Sequence, residues 1–203
     1  MKRDSDGVPA CCPEQPADKL TEIRELLSRS DAVILDTETT GHKHAEVIEV
    51  SIIDMSGNVL FDRLIRPRRM VMNRYAQRVH GISLSMLAAE PTLPELLPEL
   101  NEILDCSLVL AWNASFDNLM LQRSRAIWDL EPREFDHQCA MRLYAGLRGQ
   151  RDFGLHRAVR EHGLEHLLEL HESHRALGDV NLVLELLKTV AVSEDDPLLV
   201  SLP

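Results

Sequence analysis

Apolar residues follow two periods along this chain. Short runs that are apolar at consecutive positions alternate with stretches in which apolar residues recur every three or four. The first pattern belongs to strands covered on both faces, the second to amphipathic helices. Ala32-Val33-Ile34-Leu35 is the clearest run and predicts a central strand leading straight into Asp36. Val47 to Ile53 and Val59 to Ile65 predict two further strands, joined as a hairpin through Ser56-Gly57-Asn58, with Pro67 marking the exit. Leu108 to Ala111 predicts another buried strand.

The helical period begins at Leu20, Ile23, Leu26 and Leu27, which predict a short helix ending near Ser30. Ser83 suits the N-cap of a short helix through Glu90, and Thr92-Leu93-Pro94-Glu95 has the capping-box pattern that starts another. A helix beginning near Ser115 turns Phe116, Leu119, Met120 and Ile127 inward. The last long helix, about Ala176 to Val192, carries an apolar stripe of Val180, Val183, Leu184, Leu187 and Val190. Strands linked by helical crossovers imply an α/β sheet covered by helices. Residues 1–17 are rich in charge, proline and small side chains without a hydrophobic period, and are expected to be a flexible leader. Residues 18–192 then form one domain, and 193–203, acidic with Pro197, a flexible tail.

Composition narrows this picture. At 203 residues and 44% hydrophobic content the chain suits one domain with one sizeable core. No apolar run approaches the roughly 20 residues that span a bilayer, and the N-terminus has no apolar signal stretch, so no membrane and a cytoplasmic location are expected. Cys11, Cys12, Cys106 and Cys139 have neither metal-ligand nor disulfide-framework spacing. A net charge of -11 excludes a protein that coats nucleic acid by bulk electrostatics. One strip departs from this: between Asp62 and Arg78, six arginines (63, 66, 68, 69, 74 and 78) stand against one acid. The strip reads equally as a phosphate contact or as a solvated loop.

Three short segments carry candidate chemistry. In Asp36-Thr37-Glu38-Thr39-Thr40-Gly41 the strand period puts Asp36 and Glu38 on one face, where adjacent carboxylates repel unless a cation compensates them. In Asn113-Ala114-Ser115-Phe116-Asp117 a third carboxylate opens a helix, where the macrodipole favours negative charge. Taken alone, Asp117 reads as a helix-start acid or a metal ligand, and Phe116 as core or as a platform for a terminal base. In His174-Arg175-Ala176-Leu177-Gly178-Asp179, Asp179 shares a helix face with Val183, Leu186 and Val190 and so points inward, where a shared metal would compensate it. His174 beside it has the titration range of a general base. His162 and His166, four apart, lack an evident third ligand and receive no role.

Together these segments resemble the DEDDh branch of the DEDD exonucleases, typified by the proofreading epsilon subunit of bacterial DNA polymerase III. The resemblance runs from about Ala32 to Val192, and Val79-His80-Gly81-Ile82 adds to it by resembling the segment that approaches the terminal nucleotide. It implies an RNase H-like mixed five-stranded sheet flanked by helices, with Asp36, Glu38, Asp117 and Asp179 binding two Mg²⁺ or Mn²⁺ ions. It further implies His174 as general base, with Thr37, Thr39, His80, Asn113 and Phe116 holding the terminal nucleotide. The implied activity is 3'-to-5' exonucleolytic hydrolysis at a single-stranded DNA 3' end, in proofreading or repair, with a DNA polymerase as candidate partner. RNA as substrate, and a non-catalytic accessory module using the hydrophobic end Leu198 to Leu202 as a partner peptide, are the competing readings.

Overall fold

The computed structural model describes residues 16–149, 153–171 and 174–192. The expected leader before Pro16, Cys11, Cys12, the tail from 193 and the Leu198 to Leu202 segment lie outside the described residues. Five strands form one sheet: β1 (Ala32–Thr39), β2 (Val47–Asp54), β3 (Val59–Leu64), β4 (Leu108–Ala111) and β5 (His137–Cys139). Their order is β3-β2-β1-β4-β5. β1 pairs antiparallel with β2 and parallel with β4, β2 pairs antiparallel with β3, and β4 parallel with β5. The sheet is therefore mixed and five-stranded, as the resemblance implied.

The central strand shows why its sequence is a continuous apolar run. Ala32 and Ile34 belong to one core cluster and Val33 and Leu35 to the other, so both faces of β1 are buried. The first cluster is closed by α1 (Pro16–Ser28), α6 (Ala140–Leu147), α7 (Leu155–Glu161), α8 (Glu165–Leu170) and α9 (Ala176–Val192). The second is closed by α4 (Leu93–Asp105) and α5 (Ala114–Ile127). Two short helices, α2 (Arg74–His80) and α3 (Leu84–Leu87), lie between β3 and α4. Among the described residues no helix is long and apolar enough to cross a membrane.

Several boundaries differ from the sequence expectation. The helix expected over 83–90 shrinks to the single turn α3, although Ser83 does cap it, accepting from the Met86 N–H at 3.4 Å. At α4, Glu95 accepts from both the Thr92 N–H (2.7 Å) and its hydroxyl (2.6 Å), the return half of the expected capping box. β5 has only three residues, His137, Gln138 and Cys139, too polar and too short to announce a strand. α6, α7 and α8 were not anticipated. His162 is the C-cap of α7 while His166 sits in α8, so their four-residue spacing does not place them on one helix face.

Candidate active site

The site forms where β1 outruns its parallel neighbour. β4 pairs with β1 only from Ala32 to Ile34 and then turns away into α5, so the backbone beyond Ile34 borders a crevice on that side. Open α/β sheets place ligands in such crevices at the carboxyl ends of strands, where neighbouring connections diverge. Asp36 and Glu38 continue the parity of Ile34 towards α9, whereas Thr37 and Thr39 continue that of Leu35.

On the α9 side, ligand oxygens of Asp36, Glu38 and Asp179 lie within 4.8 Å of one another. On the α5 side, the Thr37 hydroxyl donates to Asp117 at 2.8 Å, which fixes that buried carboxylate beside the other three. Desolvation raises the Asp36 pKa well above its ordinary value, and Asp117, Asp179 and Glu38 add to the rise through like-charge repulsion. Burial and then Asp179, Glu49 and Asp117 push Glu38 from 4.5 up to about 9, against a lowering by Arg175. Burial raises Asp117 to about 7, opposed by its hydrogen bond from Thr37. Asp36, Glu38 and Asp117, packed this way, retain protons unless a cation replaces them. The donor set is entirely oxygen, which suits a hard divalent ion.

Sequence reasoning missed the pair that braces the cluster. Glu49 on β2 lies opposite Glu38 in the strand register and is buried at 2% exposure. Both of its oxygens accept from Arg175 Nε at 3.1 Å, a second guanidinium nitrogen also donates to it, and the Ala176 N–H donates at 3.0 Å. Arg175 stands one turn before Asp179 yet is committed to Glu49, so it ties the start of α9 to β2. The signal in the sequence was a glutamate inside the apolar run of β2, since a buried acid needs a partner.

His174 occupies the exposed turn before α9 with a left-handed φ of 68°, and its N–H donates to Asp179 at 3.1 Å. Burial, then the neighbouring His156, lower its pKa below 6.5, against Asp179. His156 on α7, also missed, lies with Nε2 3.5 Å from Asp179 and its ring 4.2 Å from that of His174. His80 is buried; its Nδ1 accepts from the Ile82 N–H at 3.0 Å, and burial lowers its pKa against a raising contact with the Thr39 backbone. Thr39 donates its hydroxyl to the Gly41 carbonyl at 2.6 Å. Asn113 is the N-cap of α5 with no side-chain capping bond, and Phe116 meets His42 edge-on at 5.6 Å while packing on the second core cluster.

The arginine strip is largely structural. Arg69 pairs with buried Glu46 at 3.1 Å, Arg68 with Asp129 at 2.7 Å, Arg63 with Glu99 at 3.6 Å, and Arg66 donates to the Glu90 carbonyl.

Comparison with known proteins identifies the family. The exonuclease family model RNase_T matches residues 33–187, a span that contains all four carboxylates and His174. The chain belongs to this exonuclease family. An exonuclease of Escherichia phage 186, itself uncharacterized, is 27% identical over 172 residues, covering 79% of this chain and 88% of the phage protein. The DNA polymerase III epsilon subunit of Aquifex aeolicus is 25% identical, over 83% of this chain and 84% of the subunit. The PolC-type DNA polymerase III of Thermotoga maritima is 28% identical over 80% of this chain, which spans only 12% of that polymerase. Among solved structures, the nuclease domain of 3'hExo, a DEDDh family member bound to rAMP, superposes with a TM-score of 0.63 at 15% identity, covering 83% of this chain and 94% of that one. Exonuclease X in complex with 5' overhanging duplex DNA gives 0.53 at 23%, covering 76% and 89%. The fold of this exonuclease is thus that of the DEDDh nucleases.

Proposed function

We propose that this exonuclease is a metal-dependent 3'-to-5' enzyme that trims single-stranded or frayed DNA 3' ends and releases nucleoside 5'-monophosphates. The observation that carries this reading is the convergence of Asp36, Glu38 and Asp179 within 4.8 Å, beside Asp117. Two Mg²⁺ or Mn²⁺ ions held by these four carboxylates would supply positive charge to the entering and leaving oxygens. His174, neutral near pH 7 because its pKa is lowered, accepts the proton of the attacking water on its imidazole. The water oxygen bonds to phosphorus as the bond to the 3'-oxygen breaks, and the departing 3'-oxygen takes a proton from solvent to become the 3'-hydroxyl of the shortened strand.

The terminal nucleotide is held beside the acids by Thr37, Thr39, His80 and Asn113, with Phe116 against its base or sugar. The exposed cleft of about 900 Å³ that opens from Thr40 and Gly41 gives the rest of the strand a path past Lys43, His44, Asn73 and Arg74. Likeness to epsilon subunits supports DNA as substrate and a polymerase as partner. The rAMP-bound 3'hExo supports the second reading, an exoribonuclease or oligoribonuclease.

Matched 5'-labelled DNA and RNA strands, incubated with Mg²⁺, with Mn²⁺ and with chelator, test both. A metal-dependent ladder that shortens from the 3' end, faster on DNA, is expected. Faster RNA shortening would reassign the substrate, and no shortening of either strand by folded protein would favour an accessory module.

A further inference from the structure

A second group of ligand atoms overlaps the carboxylate centre without sharing its chemistry. His156 on α7, His174 before α9 and Asp179 each offer one donor atom, and these three atoms lie within 4.8 Å of one another. The two imidazoles stand 4.2 Å apart between centroids and are tilted by 50°, with His156 Nε2 3.5 Å from Asp179 Oδ1. Two nitrogens and one oxygen form a donor set that a borderline ion prefers and that Mg²⁺ does not seek.

We propose that His156, His174 and Asp179 form a Zn²⁺ site that inhibits the enzyme. Zinc with imidazole at about 2.0–2.1 Å holds neighbouring ligand atoms ~3.3 Å apart, close to the 3.5 Å already between His156 Nε2 and Asp179 Oδ1, so the remaining separations, all within 4.8 Å, need to close by at most roughly 1.5 Å. Rotation of the exposed His174 ring, with His156 at 19% side-chain exposure, can provide that closure. The three residues leave a fourth position for water, as in an open zinc site. Asp179 belongs to both ligand sets and His174 is the base, so zinc here and a hard ion in the carboxylate centre compete for the same side chains. Binding depends only on this geometry; inhibition rests on the function proposed above.

Competition with a chromophoric chelator on the full chain measures Zn²⁺ affinity directly. His156→Gln and His156→Ala should each weaken it by about tenfold or more, while Glu38→Gln leaves it unchanged. Co²⁺ should give a visible absorption in the wild type that His156→Gln loses. Unchanged affinity in both His156 variants, or an equal loss in Glu38→Gln, would overturn the site. In the cleavage assay with Mg²⁺, zinc should suppress the wild type at concentrations that leave His156→Gln at its own zinc-free rate. Equal suppression of both would overturn the inhibitory role. If the wild type cleaves nothing, the proposed function fails while the chelator and Co²⁺ measurements still decide the site.

Discussion

Asp36 and Glu38 sit where a carboxylate is least comfortable, half-buried, facing the three further acids Asp117, Asp179 and Glu49, and short of positive charge apart from the partial influence of Arg175. Such an arrangement lowers the stability of the ion-free fold, and removing one charge should relieve it. Asp36→Asn should therefore raise the Tm of chelator-treated protein at about pH 8 by roughly 2–4 °C for each kcal/mol relieved, while lowering cleavage by about 10²-fold or more. Calorimetry and a rate assay on the same preparation check the pair; a lower Tm together with normal cleavage would contradict it. His174 has the opposite task of staying unprotonated. With its pKa lowered from 6.5, the acid limb of kcat/KM should break below pH 6.5, and His174→Gln should remove that limb and slow the reaction by about 10²–10⁴-fold. A pH profile of wild type and variant reads both.

β1, α5 and α9 bring the acids together, and most of that was legible in the sequence. Consecutive apolar residues before Asp36 marked a strand buried on both faces, and the stripe of α9 placed Asp179 inward. The pairing of Glu49 with Arg175, and the approach of His156, were not legible, because their partners come together only through the register of β2 and the docking of α7 on α9. The arginine strip was ambiguous for a related reason, since its charge is answered by residues far along the chain. Glu46 shows the consequence: it accepts from the Arg68 N–H at 2.7 Å and from the Arg69 N–H and Nε at 3.1 Å, and so fastens 68–69 to the loop after β1. Glu46→Ala should cost about 2 kcal/mol in denaturant unfolding, since it strands donors beside a buried position. A change within about 0.5 kcal/mol would mean that solvent takes over those bonds.

The protein as a whole carries an acidic centre whose protonation links pH, metal and stability. Glu38 rises from 4.5 to about 9 and Asp117 from 3.8 to about 7, so the ion-free folded chain holds protons that the unfolded chain releases. Stability of the ion-free protein should then fall as pH rises from about 3.8 through about 9, and Mn²⁺ should restore more Tm at about pH 9 than at about pH 6. A Mn²⁺ effect independent of pH would count against ions replacing protons at these acids. The most direct test of the catalytic assignment is a single-turnover reaction on a DNA strand labelled at its 3'-terminal nucleotide, comparing wild type with Asp36→Asn and with chelator. The label should leave as a nucleoside 5'-monophosphate from the first time point, only with divalent ion and only in the wild type. Label released in longer fragments, or cleavage by Asp36→Asn at the wild-type rate, would contradict a 3'-to-5' exonuclease built on these carboxylates.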